Sequence, residues 1–145
     1  MNNQQIADNY AQGATKGKGS NMFIDKQAVY SYGYHYPIAV KLSSGHYLFN
    51  MNSSYSSSTA RHCSHVRSAL EGYKLTLATS QLMNEYIDGD ISQSILDKNI
   101  ATLRARREVI MGKGERARSD HMRSIYLEQS RLLSESIASL LVINQ

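Results

Sequence analysis

A β-hairpin signal in the first half of the chain constrains the fold more than any other feature. Two runs with alternating side chains, YPIAVKL and HYLFNMN, flank the turn signal SSG at residues 43–45. In a strand every second side chain points to the same face, so each run can bury one face. With Ser44-Gly45 as a two-residue loop, Val40 pairs with Phe49. This register predicts one buried face, made of Ile38, Val40, Leu42, Tyr47, Phe49 and Met51.

The segment after the hairpin predicts a helix that packs on the sheet. Thr59, Cys63, Val66 and Leu70 follow one another at intervals of four, three and four residues, which places them on one helical stripe. We expect this helix at about residues 59–71, because Gly72 follows as a stop signal.

The remaining segments complete an α+β fold. It consists of a small antiparallel β-sheet with one packed helix, followed by a C-terminal antiparallel helical hairpin. Three parts are expected: a flexible N-terminal arm at residues 1–20, a sheet-plus-helix domain at 21–72, and a helical region at 73–145. The hairpin should bend at Gly112–Gly114. If these glycines do not interrupt the helix, residues 91–141 form one long helix instead.

Four tyrosines at two-residue spacing precede and enter the hairpin. On a single strand, Tyr30, Tyr32, Tyr34 and Tyr36 would share one face and could stack on nucleic-acid bases. Gly33 interrupts the series, and a turn or bulge there would break the alternation. We therefore expect Tyr36 in the core and the other rings on different sides. The base-stacking platform stays open as the alternative.

Charge is unevenly distributed along this chain of net charge +4. Residues 1–70 carry six Lys/Arg and two acids, residues 71–97 one and five, and residues 98–145 nine and five. The chain is therefore basic, acidic and basic in turn, and its basic segments suit an anionic partner. No run of 18 apolar residues predicts a membrane span, and a lone cysteine fits a reducing cytosol.

Residues 18–70 resemble a small uncharacterised domain common in tailed-phage and prophage proteins. The matching positions form YSYG, HYPIA and a Tyr-Ser-x-Thr segment with a histidine three residues after the threonine: Tyr30, Ser31, Tyr32, Gly33, His35, Pro37, Ile38, Ala39, Tyr55, Ser56, Thr59 and His62. An extra serine before Thr59 departs from the pattern. The resemblance covers about a third of the chain. It implies a phage origin and an intracellular role in the host cytoplasm, but no activity.

Two groups of residues are candidate anion sites. The first is the start of the helix after the hairpin, where free N–H groups and hydroxyls can bind phosphate: Ser57, Ser58, Thr59, Arg61 and His62. The alternative is that Ser57 or Ser58 only caps the helix. The second is the basic cluster near the bend of the hairpin: Arg104, Arg106, Arg107, Lys113, Arg116, Arg118 and Arg123. Its alternative is a solvated helix surface.

Enzymatic machinery is not indicated by any motif. His62, Cys63 and His65 do not share one helical side, so they do not predict a metal site. Nothing in the spacing pairs Cys63 with a histidine as a nucleophile. We expect no catalytic residue, no cofactor and no membrane partner.

The expected function is binding. The sequence favours a phage-encoded, non-enzymatic protein that acts on nucleic acid or a nucleoprotein through the basic cluster. The alternative is an inhibitor of a host protein complex, such as a defence complex, that uses the same arginines. The apolar C-terminal segment SIASLLVI further predicts a homo-oligomer through the last helix.

Overall fold

The computed structural model describes residues 1–52 and 56–143, which divide into two compact units, Met1–Asp90 and Ile91–Gln145. The first unit is an α+β fold whose elements follow in the order α1 (Asn3–Ala11), β1 (Lys16–Lys18), β2 (Met22–Asp25), β3 (Ala28–Ser31), β4 (Pro37–Lys41), β5 (Tyr47–Asn50), α2 (Ser57–Ala69), β6 (Leu75–Ala78) and α3 (Ser80–Ile87). The second unit contains α4 (Gln93–Arg116) and α5 (Asp120–Leu141).

The α+β class is confirmed, but the sheet is larger than predicted and mixed. Six strands pair in sequence order, the first four pairings antiparallel. The last pairing, between β5 and β6, is parallel. Residues 75–78 form β6 and not part of the expected helical region. A four-residue run has too little periodicity to distinguish a strand from a helix. The intervening α2 provides the crossover that a parallel pair requires.

The β4–β5 hairpin is present, but its register differs by one residue from the predicted one. Val40 pairs with Leu48, and Phe49 pairs with Ala39. The loop has three residues instead of two, because Leu42 N–H donates to the His46 carbonyl and Gly45 adopts a left-handed φ of +88°. The predicted face is therefore wrong in part. Val40 and Phe49 point to opposite faces of the sheet, although both are buried.

Residues 1–20 are ordered elements of the sheet unit, so the predicted flexible arm is wrong. Asn2 caps α1 through a capping box, and Ile6, Ala7 and Tyr10 are buried in the core. β1 follows as an edge strand beside β2. A Cβ on Gly17 would lie only 3.3 Å from the Ile6 Cδ1 atom, so this glycine allows α1 close to the sheet. The arm looked mobile because only three of its residues are buried apolar ones.

One face of the sheet packs against α1 and α2. The stripe predicted for α2 is buried as expected, at Thr59, Cys63, Val66 and Leu70. The helix begins two residues earlier than predicted, and Ser56 caps it by accepting the Thr59 N–H at 3.1 Å. On the opposite face, the Asn50 side chain donates to the Ser80 hydroxyl at the start of α3.

The tyrosine row is broken at the predicted place. Tyr32 adopts a left-handed φ of 65°, and Ile38 is an extra residue in β4 between the partners of Val29 and Tyr30. Tyr30 stacks on Phe23 at 4.9 Å, and Tyr34 is 61% exposed. Tyr36 is buried, and its hydroxyl donates to the Asn52 carbonyl, as expected for a core residue. The four rings do not form one stacking platform.

In the second unit, the chain turns later than predicted. Gly112 and Gly114 both lie within α4, and the turn is at residues 117–119. Ala117 is extended, and Ser119 caps α5 by accepting the Met122 N–H. A serine cap followed by Asp120 therefore sets the start of α5, while α4 tolerates two glycines at about 1 kcal/mol each.

The two helices of this unit contact each other along their length. Arg107 Nη1 donates to Ser134 Oγ at 3.4 Å, and a Cβ on Gly114 would lie 3.5 Å from the Tyr126 Cβ. Leu103 and Leu140 are completely buried. Across residues 1–52 and 56–143, no helix is long and apolar enough to cross a membrane.

Replacing Phe49 with alanine tests the described core. Phe49 is 1% exposed in the core between the sheet and the helices. Phe49→Ala should lower the free energy of unfolding by about 3–5 kcal/mol, measured by urea denaturation, because it removes a buried ring and leaves a cavity. The control Tyr73→Ala removes a half-exposed ring that meets Tyr47 edge-on. It should cost no more than about 1.5 kcal/mol. Equal losses in the two variants would contradict the described core.

Candidate functional site

The basic cluster is distributed around α4, the following turn and the start of α5. Arg104 and Arg106 are both exposed. They point to nearly opposite sides of the helix, because two residues correspond to a rotation of roughly 200° around its axis. Lys113 lies seven residues after Arg106, on nearly the same side. The seven predicted side chains therefore do not form one face of a helix.

Three members of the cluster do converge, at the end of the helix pair. Lys113, Arg116 and Arg118 line an open concavity of about 420 Å³. Its other lining residues come from the turn and the first turns of α5: Ala117, Ser119, Met122 and Tyr126. We call this the tip concavity. The extended Ala117 and the Ser119 cap produce it, because they direct the chain away from α4 and back into α5.

Two of the other arginines have local partners. Arg123 forms an ion pair with Asp120, and its Nε donates to the Ala117 carbonyl at 3.1 Å. This arrangement stabilises the turn between α4 and α5. Arg107 is half-buried and donates to Ser134. Arg107 and Arg123 thus have structural roles that sequence clustering could not separate from binding.

The tip concavity is suited to an anion. Its lining contains three cations and no carboxylate. Arginine binds phosphate or carboxylate through two parallel N–H donors, while lysine adds a mobile point charge. Met122 and Tyr126 add apolar surface beside the charges. This arrangement can therefore hold an anionic group.

The candidate site at the start of α2 does not converge. Ser57 and Arg61 are exposed, and Ser58 is half-buried. Thr59 and His62 point into the core and are almost completely buried. Two of the five predicted side chains are therefore unavailable to a ligand.

Thr59 and His62 belong to a buried polar network that ties the helices to the sheet. His62 Nδ1 lies 2.7 Å from Ser31 Oγ, which lies 3.3 Å from Thr59 Oγ1. On the other side of the ring, His62 Nε2 lies 3.3 Å from the Asn3 amide of α1. A second contact between these helices joins His65 Nδ1 and Gln4 Oε1 at 2.6 Å. The Ser31–His62 pair is structural, because Ser31 is 1% exposed and no substrate could reach it.

The surroundings of His62 favour its neutral form. Burial lowers the pKa of His62 below its ordinary value, and the nearby His65 and Arg61 lower it further. The Asn3 amide can donate to Nε2 only when that nitrogen carries no proton. Sequence reasoning missed Asn3 and Ser31 as partners, because neither lies near His62 in the chain.

Cys63 is also structural. Its thiol is buried, and the Tyr36 hydroxyl lies 3.8 Å from the sulfur. Burial raises the pKa of the thiol, which keeps it protonated and unreactive. In the described parts of the chain, no three His, Cys, Asp or Glu side chains gather as metal ligands.

Comparison with known proteins adds no relative. The chain matches no family model, no curated protein and no solved structure. Of the residues that carry the resemblance to the phage domain, Ser31, Thr59 and His62 meet in the buried network. Tyr55 lies outside the described residues.

The network predicts a loss of stability in mild acid. The unfolded chain binds a proton at His62 at higher pH than the folded chain does, because the folded pKa is lowered. The contribution of His62 to the free energy of unfolding should thus be fully present above about pH 6.5. The free energy should fall by up to about 1 kcal/mol as the pH drops to about 5.5.

Urea denaturation at pH 7.5 and 5.5 measures this change. His62→Gln should be less stable than the parent at pH 7.5 but should lose less between the two pH values. His46→Gln replaces an exposed histidine of the same unit and should keep the dependence of the parent. An unchanged pH dependence in His62→Gln would assign the acid sensitivity to other groups.

Proposed function

We propose that this chain is a non-enzymatic binding protein that holds a nucleic acid or a nucleoprotein through its basic helix pair. The observation that carries the proposal is the tip concavity, where Lys113, Arg116 and Arg118 meet with no acid in the lining. Lysine and arginine side chains are the usual partners of nucleic-acid phosphates. Tyr126 and Met122 add surface against which a sugar or a base can pack.

The helix pair is the proposed carrier of this site. We take α4 and α5 as the antiparallel helical hairpin, since Arg107 meets Ser134 and Gly114 faces Tyr126. In this arrangement the residue numbers rise along one helix as they fall along the other. The turn is then the outermost point of the hairpin, which suits a role in reaching into a groove or a cleft.

The phage origin of the chain is part of the proposal. It rests on YSYG, HYPIA and the Thr59–His62 segment, which resemble the phage-type domain. A phage protein of this kind would act in the cytoplasm of the host cell. The lone buried Cys63 agrees with a reducing compartment.

An inhibitor of a host protein complex is the second candidate function. Large apolar side chains are exposed among the arginines of the helix pair, with Val109 57% and Leu127 62% exposed. Arginine and methionine are enriched at protein interfaces, and Met111 is also exposed here. A defence complex with an acidic surface would fit the same tip.

Self-association through α5 is proposed on a different face from the predicted one. Leu133 and Leu140 are buried within the chain and are not available to a second copy. Leu127 and Leu141 are more than half exposed. Because they are fourteen residues apart in the helix, their directions around the helix axis differ by only roughly 40°. These two residues can form an apolar stripe between copies.

Mobility shift with mixed DNA and RNA tests the main function. The triple variant Lys113→Gln, Arg116→Gln and Arg118→Gln should bind much more weakly, with helicity preserved because glutamine is a good helix former. For duplex DNA, the slope of log affinity against log salt should flatten by about 0.9 for each lost phosphate contact, or about 2.7 in all.

A control with the same change in net charge separates the tip from charge in general. Lys98, Arg104 and Arg131 are exposed basic residues of the two helices outside the tip concavity. Their replacement by glutamine should weaken binding much less than the tip variant does. No shift by the parent at low salt would reject the nucleic-acid function. Co-purification of a host protein that nuclease does not release would then favour the inhibitor.

Light scattering at micromolar concentration tests self-association. Leu127→Glu with Leu141→Glu should reduce the parent oligomer to a monomer and leave the circular dichroism spectrum unchanged, since both side chains are exposed. A monomeric parent would rule out this interface.

A further inference from the structure

A second cavity lies in the first unit, far from the tip concavity in sequence. It has a volume of about 310 Å³ and opens where α1 ends, β2 turns into β3, and β4 ends. Seven residues line it: Tyr10, Gly13, Ala14, Thr15, Lys26, Gln27 and Lys41. Its size is at the lower limit of small-molecule sites.

Lys26 reaches this cavity from an uncommon backbone conformation. Asp25 pairs with Ala28, so Lys26 and Gln27 form a two-residue turn between β2 and β3. Lys26 has a φ of 56°, in the region that glycine and asparagine adopt most readily. A two-residue hairpin turn requires a positive φ at its first position, and this turn holds Lys26 at the cavity wall.

The cavity is electrostatically positive. Lys26 and Lys41 are its only charged lining residues. Neither of the two acids of residues 1–70 lines the cavity: Asp8 accepts a hydrogen bond from Gln4, and Asp25 accepts one from Tyr34. The ion pairs Arg123–Asp120 and Arg131–Glu128 lie in α5 and involve neither lysine.

Apart from the end of α1, the walls of the cavity offer an anion only neutral groups and donors. The Tyr10 hydroxyl donates to the Gln27 carbonyl, and burial raises the pKa of this tyrosine, so it stays neutral. The end of α1 carries the negative pole of its dipole. The carbonyls of Asn9 and Tyr10 are partly screened, since they accept the N–H groups of Ala14 and Gly13. Thr15 and Gln27 offer further donors.

We propose that this cavity binds a phosphate dianion, either free or as the monoester of a small molecule. Two lysine ammonium groups balance the charge of about −2 that a phosphate monoester carries near neutral pH. The open volume beside the lysines admits one compact substituent. This site is independent of the function proposed for the helix pair, because none of its residues belongs to α4 or α5.

Titration of the full chain with inorganic phosphate, AMP and adenosine, followed by NMR of the backbone amides, tests the proposal. Phosphate or AMP should shift the signals of residues 13–15 and 26–27 with saturation below about 10 mM, whereas adenosine should not. AMP binding at least tenfold tighter than phosphate would identify a monoester as the ligand, and equal binding would identify free phosphate.

A matched pair of variants completes the test. Lys26→Asn with Lys41→Gln removes both ammonium groups, and asparagine tolerates the left-handed conformation, so the fold should persist. Binding of phosphate should weaken at least tenfold. Lys18→Gln with Lys74→Gln removes the same charge from exposed positions outside the cavity and should bind like the parent.

Three results would overturn the proposal. They are a parent without saturable shifts, a control pair as weak as the cavity pair, and shifts that adenosine reproduces. The Lys113, Arg116 and Arg118 variant should retain phosphate binding at residues 26–27. If that variant loses nucleic-acid binding, its phosphate binding at residues 26–27 should therefore stay unchanged.

Discussion

The three-residue loop at Ser43–Gly45 decides which side chains of the sheet meet the helices. A shift of one residue in strand pairing moves every side chain of a strand to the opposite face. The left-handed Gly45 sets the pairing of Ala39 with Phe49, and this places Phe49 in the core below α1 and α2. Val40 and Leu48 then serve the other face, where α3 contacts β4 and β5. The layers on both sides of the sheet depend on this turn.

The sequence predicted the elements whose signals are local. The alternating hairpin and the stripe of Thr59, Cys63 and Val66 each lie within a few residues, and the structure contains both. It failed where stability comes from distant partners. α1 has little apolar surface of its own and becomes stable only through contacts such as Asn3 with His62. β6 is defined by its parallel partner β5, which no pattern within four residues reveals.

The candidate site was predictable in composition but not in geometry. Local clustering identified all three cations of the tip concavity, because Lys113, Arg116 and Arg118 lie within six residues. It could not tell them from Arg107 and Arg123, whose partners belong to α5 and the turn. The turn itself was misplaced because glycine was given more weight than the Ser119 cap. The Lys26–Lys41 cavity has no local signal, since strand pairing alone brings its parts together.

The contacts of α1 also set an order of events for a chain that grows from its N-terminus. The Asn3–His62 contact spans 59 residues, and the Ile6, Ala7 and Tyr10 side chains share one core with Val66 and Leu70. A nine-residue helix is marginal alone, so α1 must wait, unprotected, until the sheet and α2 have been synthesised. Translation at about 5–20 residues per second leaves that segment exposed for several seconds. The polar sequence of α1 keeps it soluble during this interval, which is a reason for a helix that packs on the core to look like a flexible arm.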